Sequence, residues 1–447
     1  MAKVSKATVT IARARARGLT AHKRRPAASN DRALLIARAF KSAKPLLSSK
    51  SVLSLLRTEL NRLGMVGDLS VPLVIYLAIT TRLLNKPVSM VVKGPSGMGK
   101  SFAVDTVVRF FSSTAICRSS TLTPKALSYL GDLQHRTLVV EEEDGIDDPF
   151  LRSQLRTLLT EGELRHRTVS GGQAKERVVL GPTNLVTTTT KPQLHHETET
   201  RVLSLHVDDS PKVKRAIMKA RSKAELGESL EIPQSWIDLQ KYLALKRKEV
   251  VVPFEAALAD LMPDGVMPRD FQRLTKLIAA HALLHVRHRE TTTLGHVIAV
   301  PYDYDVVRQL ILPHFEEAVE AAVPQRIKEV VAAVTELRKS HPTVTLTQLG
   351  AKMGLHRSNA SRRLQDAFAE GYVLNVETNA AKPARLITGQ PLPASGGGLP
   401  TVDALREKIA ALKVARKAPK AKKKPALEKL TKAVHKAGRL PQKLRST

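Results

Sequence analysis

Residues 94–101 read Gly94-Pro95-Ser96-Gly97-Met98-Gly99-Lys100-Ser101, which fits G-x-x-x-x-G-K-[ST], the pattern of a phosphate-binding loop. The glycines let the backbone curl so that its N–H groups converge on phosphate oxygens. In such a loop Lys100 reaches the β- and γ-phosphates, and the Ser101 hydroxyl holds Mg²⁺. The flanks agree with this reading. Ser89-Met90-Val91-Val92 is a short apolar run suited to a buried strand, and Phe102, Val104, Val107, Val108 and Phe111 recur near helical spacing. Strand, loop and helix come in the order that the loop's mechanism requires, which a chance Gly-rich turn would not supply. ATP with Mg²⁺ is the implied ligand.

At 447 residues the chain is long for one domain, and two or three are expected. Its 43% hydrophobic content is enough for a core, and no apolar stretch reaches the roughly 18 residues that would span a membrane. Cys117 is the only cysteine. That excludes an internal disulfide and a cysteine-based zinc cluster, and it suits a reducing compartment.

The net charge of +31 is unevenly spread. Residues 1–50 carry 13 Lys/Arg against Asp31 alone, and residues 401–447 carry 15 against three acids. The two arms hold 24 of the 31 net charges and leave a body of only +7. Basic arms on a near-neutral body are the electrostatic footprint of a polyanion binder, most often nucleic acid. Solubilising tails and a membrane-surface anchor are the alternatives, but neither arm has the apolar face of a membrane-lying helix. The start lacks the apolar core of a secretory signal. Arg13, Arg15, Arg17, Arg24 and Arg25 also suit an organellar transit peptide, which would leave the equally basic far end unexplained.

Residues 1–30 have the composition of a disordered arm. Helical spacing runs from Asp31 to Leu63, and the segment Asp68 to Leu84 reads as a buried helix. Met90 to about Leu205 alternates strand and helix signals, as in a parallel α/β sheet. Within it, Thr137-Leu138-Val139-Val140 is a buried strand followed by Glu141-Glu142-Glu143-Asp144, whose acids emerge at its carboxyl end beside the phosphate loop. Of these four, Glu141 is assigned to the metal and Glu142 to polarising the attacking water; a solvated acidic turn is the plain alternative. A helix over Leu151 to Leu159 leads to a β-hairpin around Ser170-Gly171-Gly172, with Arg165, Arg167, Lys175 and Arg177 on its strands. These four are candidate DNA contacts or ordinary surface cations. Asn184-Leu185-Val186-Thr187-Thr188-Thr189-Thr190 is a third buried strand that ends in hydroxyls able to meet a γ-phosphate or the attacking water. Arg201, after Glu197-Thr198-Glu199-Thr200, is either a structural ion pair or an arginine finger offered to a neighbouring subunit.

In this order of parts the chain resembles an AAA+ ATPase, and the stretch Leu155 to Pro192 resembles the minichromosome-maintenance helicase group. There a helix leads to "E-G", a hairpin precedes the sensor strand, and a short polar run ends in Pro. The pattern "GP…TTT…ETR" is also similar to ATP-binding proteins of mobile elements that sit near primases. The likeness covers roughly residues 55–390 and lies more in layout than in identity. Glu141-Glu142 stands where the family has Asp-Glu, and Thr189 or Thr190 where it has a sensor Asn. The resemblance implies a helical lid with a sensor arginine, Arg269 or Arg273, on the helix that begins near Pro268. It implies an ATP-driven DNA motor of a bacterium or mobile element, of replicative-helicase type. A helicase loader, a replication initiator or an ATP-switched DNA-binding regulator are the alternatives.

His285, His288 and His296 have no cysteine partners and read as exposed residues rather than metal ligands. From Thr343 the pattern resembles a winged helix-turn-helix. A short helix ends at Gly354, and a second, His356 to Ala369, carries Ser358, Asn359, Ser361, Arg362 and Arg363 outward. Two strands follow, with Lys382 and Arg385 near phosphate. Protein contact is the alternative use of such a fold. The resulting division is a disordered basic arm (1–30), a helical N-terminal segment (31–88), an AAA+ core (89–210), a helical lid (211–330), a winged helix (331–392) and a flexible basic tail (393–447). The expected partners are duplex and single-stranded DNA, further copies of the chain in a hexameric ring, and a primase as a candidate; the expected location is the cytoplasm, at the nucleoid.

Overall fold

The computed structural model describes residues 27–142, 146, 148–170, 173–191, 194, 201–224, 230–263, 266–322, 324–341, 343–377, 384–390 and 398–417. Most of both basic arms, Glu143, Asp144, Lys382 and the Lys175 side chain therefore lie outside the described residues.

Three helices come first: α1 (Ala27–Leu47), α2 (Val52–Arg62) and α3 (Ser70–Thr80). The sequence of α3 is apolar on every face, and all 11 of its residues are buried, as a helix in the middle of a core must be. Next come β1 (Met90–Lys93), α4 (Lys100–Val108), β2 (Ile116–Ser119), α5 (Pro124–Ser128), β3 (Arg136–Val140) and α6 (Pro149–Glu161). The hairpin β4 (Glu163–Ser170) and β5 (Gln173–Leu180) leads to β6 (Thr183–Thr189) and β7 (Leu203–His206).

Five strands form a parallel sheet in the order β2-β3-β6-β1-β7. Met90, Val91 and Val92 of β1 are fully buried, the usual fate of an apolar strand covered on both faces. Because the strands run the same way, their carboxyl ends share one edge, where an open parallel sheet binds its ligands. The acidic strand β3 is not next to β1; β6 lies between them, so the acids reach the loop across the end of the Thr-rich strand.

The chain then turns helical: α7 (Pro211–Ala224), α8 (Gln234–Lys246), α9 (Glu255–Ala259), α10 (Pro268–Leu284) and α11 (Pro301–Ala322), with two-residue strands β8 (Val250–Val251) and β9 (Val297–Ile298) pairing between them. Within the region expected to form a helical lid, 211–330, the helices from Gln234 onward join the core of the sheet domain. Leu239, Leu277 and Val307 from this region share one continuous core with Leu56, Ile75 and Val92. Trp236 of α8 packs edge-on against Tyr76 and Phe110, which ties the helices to the sheet domain.

A smaller unit follows, made of α12 (Gln325–Ser340), α13 (Leu346–Met353), α14 (Arg357–Ala369), β10 (Val373–Asn375) and β11 (Leu386–Thr388), the strands antiparallel. Thr345 and Gln348 form a reciprocal capping box at the start of α13, and Gly354 closes it with φ of +63°. Ile327, Val330, Leu349, Leu364, Val373 and Leu386 make a core distinct from the main one. This unit starts near residue 324 rather than 331, because the first turns of α12 already belong to its core. The tail expected to be flexible, 393–447, is helical over the described residues Val402–Lys417. α15 (Val402–Lys417) folds back, with Leu399 and Leu405 in the main core, while Tyr304 and Arg308 donate to the carbonyls of Pro400 and Leu399. No described helix is long and apolar enough to cross a membrane.

Between α10 and α11 lies a buried polar cluster. The His281 ring bonds the Asp303 carboxylate at 2.6 Å, and Arg289 grips the same group. His285, expected at the surface, is only 1% exposed; its ring faces the His281 carbonyl on one side and the Val52 N–H on the other. Burial, then the neighbouring His281 and Arg289, push the His285 ring down to about 4. Burial raises the Asp303 carboxyl, but His281 and Arg289 outweigh it and hold it below the ordinary carboxylate range. In the unfolded chain His285 takes a proton near its ordinary 6.5, which the folded chain refuses until about pH 4. The His285 contribution is thus fully present above about pH 6.5 and is lost as pH falls toward 4, at most about 3 kcal/mol. Urea unfolding at pH 7, 5.5 and 4.5 should show this loss, and His285→Gln should flatten the dependence. An equally steep dependence in the variant would remove His285 as its source.

Candidate nucleotide site

The loop expected to cradle phosphate leaves the carboxyl end of β1 and enters α4. Gly94 has φ of +148°, and a Cβ there would come within 2.4 Å of Val207, so only glycine fits. Gly99, with φ of +82°, turns the chain into the helix. The first turn of α4 thus points backbone N–H groups without intrahelical partners into the loop, a ready anion site. Lys100 is 8% exposed, and its ammonium donates to the carbonyls of Gly94 and Pro95, each at 2.8 Å, which holds it beneath the loop. Burial lowers the Lys100 ammonium below the ordinary lysine range, and Glu142 pulls it the other way.

A cavity of about 190 Å³ opens beside this loop. Ser96, Gly97, Lys100 and Ser101 line it from the loop side, Glu142 from the end of β3, and Thr189 and Thr190 from the end of β6. These are the residue types that phosphoryl transfer needs: a cation for charge, a hydroxyl and a carboxylate for a metal or a water, and polar side chains near the terminal phosphate. Thr189 is also engaged locally, accepting from the Lys191 N–H at 3.1 Å. The donor set fits ATP with Mg²⁺: the loop N–H groups and Lys100 for phosphate, the Ser101 hydroxyl for the ion, and Glu142 for a water beside the terminal phosphate.

The placement of Glu141 corrects the reading of the acidic run. Its carboxylate accepts from Arg118 of β2, which also holds Asp105 of α4 at 2.7 Å. Glu141 does not line the cavity; Glu142 does. Four consecutive acids look alike in sequence, and the deciding contact comes from Arg118 of β2, 23 residues earlier in the chain.

A second pocket, of about 530 Å³, adjoins the first and shares Gly99 and Phe102 with it. Its walls are mostly apolar, including Leu63, Val66, Met98, Val207, Val213 and Ile217, with His206, Asp208 and His314 among the polar groups. Sequence reading missed it, because it is assembled from four separate stretches. A partial signal was present in Phe102, an aromatic directly after Lys100-Ser101 that remains 48% exposed.

Other expected site residues lie elsewhere. Arg269 and Arg273 line neither cavity, and Arg273 pairs with Asp270 on its own helix. Arg201 precedes β7 at the amino edge of the sheet, opposite the loop, and donates to the Thr160 hydroxyl at 2.9 Å. The hairpin rises from the same edge, its base closed by Gly181 donating to the Gly162 carbonyl. Arg165 and Arg167 pair with Glu163 and Glu176, and the Arg177 guanidinium lies over the Tyr129 ring, 3.5 Å from its centre. In the smaller unit, Ser358, Asn359, Arg362 and Arg385 are exposed. Arg363, expected outward, instead pairs with Glu329 of α12 at 2.6 Å.

Comparison with known proteins agrees with this geometry. No curated protein matches the chain. Residues 40–242, just under half of it, match a family model described as "MTBMA_p00010 P-loop domain". The matched range begins in α1 and ends in α8, so it takes in the N-terminal helices as well as the sheet. The Gly94–Ser101 loop at the carboxyl edge of a five-stranded parallel sheet and this match over residues 40–242 together fit a P-loop NTPase.

Proposed function

We propose that the chain is an ATP-hydrolysing DNA motor of the replicative-helicase type, acting as a six-membered ring in a bacterium or mobile element. The observation that carries this reading is the convergence of Lys100, Ser101, Glu142 and Thr190 on one cavity, in a chain whose net charge is +31. Phosphates bind in the loop with Mg²⁺ at Ser101, Glu142 polarises the attacking water, and the base enters the adjoining apolar pocket. The order of α12, α13, α14 and the β10–β11 ribbon supports a winged helix, with Ser358, Asn359 and Arg362 of α14 turned to the major groove and Arg385 to phosphate. The basic arms add sequence-independent affinity. A primase is a candidate partner in such a system.

One observation favours a second reading, an ATP-switched DNA-binding regulator. Arg165, Arg167 and Arg177 of the hairpin are already answered by Glu163, Glu176 and Tyr129, so a strand passing through a central pore would have to displace those contacts. A forked duplex separates the readings. A motor is expected to displace the strand catalytically with ATP, and Lys100→Ala should abolish the activity. A loader displaces strand only with its partner enzyme present. DNA-stimulated ATP hydrolysis without displacement under any condition would sink the helicase reading and leave the regulator.

A further inference from the structure

Helix α7 has two unlike faces. Its sequence, PKVKRAIMKARSKA, contains Lys212, Lys214, Arg215, Lys219, Arg221 and Lys223 and no acid. The inner face, Val213, Ile217 and Ala220, forms one wall of the apolar pocket beside the phosphate loop. A Cβ on Gly67 would stand 3.1 Å from Val213, so the helix approaches the far rim of the pocket closely. Yet none of residues 211–220 is buried, which is unusual for a helix in contact with a domain. Its apolar side faces a cavity of about 530 Å³ rather than packed side chains. Residues 211–220 therefore make little packed contact of their own, and whatever fills the pocket supplies the missing contact area.

On the outer face, Lys212, Arg215 and Lys219 are exposed at spacings of three and four, which puts them on one stripe. Lys214 stands apart, 4.0 Å from Asp209 at the pocket rim. Met218, 67% exposed, is the only large apolar side chain turned outward from residues 211–220, too little for insertion into a bilayer. A cationic stripe on a helix whose apolar side is turned into the pocket fits the phosphate backbone of a nucleic acid.

We propose that α7 couples the nucleotide site to nucleic-acid binding. A base in the pocket packs against Val213 and Ile217 and fixes the helix, and the fixed helix presents Lys212, Arg215 and Lys219 as a phosphate-binding stripe. The inference rests on the reading of the apolar pocket as the base site and of the chain as a DNA binder. By linkage, the coupling is reciprocal: nucleotide raises DNA affinity, and DNA raises nucleotide affinity by the same factor.

The test uses the full chain, a labelled 20-base-pair duplex, a non-hydrolysable ATP analogue and vesicles rich in anionic lipid. The analogue is expected to raise duplex affinity at least fivefold and to slow amide exchange across residues 211–224. The triple variant Lys212→Gln, Arg215→Gln, Lys219→Gln should keep its affinity for the analogue, which also reports that it is folded. Its duplex affinity with analogue bound should drop at least tenfold, and the salt slope should fall by about 2 to 3, the loss expected for three phosphate contacts. Unchanged duplex affinity and slope in the variant would overturn the inference alone. So would amide exchange in 211–224 that ignores the analogue, or a loss confined to vesicle binding. An unaltered protein that binds no duplex with or without analogue would overturn the DNA reading itself, and the inference with it.

Discussion

Glu142→Gln is expected to leave ATP binding close to its original affinity and to lower turnover by two to four orders of magnitude, on the order of a positioned general base. Glu142 lines the phosphate cavity together with Lys100, Ser101 and Thr190. It is the acid that can order a water against the terminal phosphate. Glutamine keeps the shape and loses the charge and basicity, so the nucleotide should bind and stay. The neighbouring substitution Glu141→Gln should cost far less, because that carboxylate is turned to Arg118 and away from the cavity. Its main effect should be to loosen Arg118, which still has Asp105. Steady-state hydrolysis with Mg·ATP, alongside binding of a fluorescent ATP analogue, reads both variants. The reverse result, an inactive Glu141→Gln and an active Glu142→Gln, would move the catalytic role one residue back along the strand. Lys100→Ala is the reference for loss of binding, since its ammonium is the cation nearest the loop carbonyls.

The elements legible in the sequence were those whose signal is local. The loop, its strand and its helix were readable from eight residues and their flanks. The hairpin was readable from alternation around Ser170-Gly171-Gly172, and α13 from its turn at Gly354. What escaped depends on contacts between distant segments. Residues 211–330 carry the pattern of a helical lid, and nothing in that pattern says that Trp236 will meet Tyr76 and Phe110. The apolar pocket draws Val66, Met98, Val207 and Pro313 from four stretches, and no periodicity links them. Two misses did have a local signal. Arg363 lies three residues after Ala360 and four before Ala367, both buried, so helical geometry puts it at the edge of the packed face. In the tail, Val402, Leu405, Ile409 and Leu412 keep helical spacing that the surrounding lysines and alanines obscured.

Arg201 is expected to act on the nucleotide of a neighbouring subunit, and its removal should cost about a thousandfold or more in turnover, the scale of an arginine finger. The position makes action within its own subunit implausible on geometric grounds. Arg201 precedes β7 where that strand pairs with the start of β1, whereas the loop follows the end of β1. A four-residue strand puts roughly 13 Å between those edges before any side chain is counted. Any contact with phosphate must then come from a second copy, whose amino edge faces the carboxyl edge of the first. That is a head-to-tail interface, the kind that closes into a ring. Arg201→Ala should bind the ATP analogue normally and hydrolyse slowly, and Arg201→Lys should not restore the rate, because an ammonium lacks the planar fork. Thr160→Val is the control for the bond within the subunit, and it should leave hydrolysis largely intact. Complementation decides the matter. Lys100→Ala protein has an intact Arg201 and a broken loop; Arg201→Ala protein has the opposite. In an equal mixture about a quarter of head-to-tail interfaces join an intact loop to an intact arginine, so about a quarter of the original rate should return. Mixtures that remain as inactive as either parent, with co-assembly demonstrated by light scattering of differently tagged subunits, would reduce Arg201 to its structural bond with Thr160. Arg269, at the exposed start of α10, would then be the arginine to test.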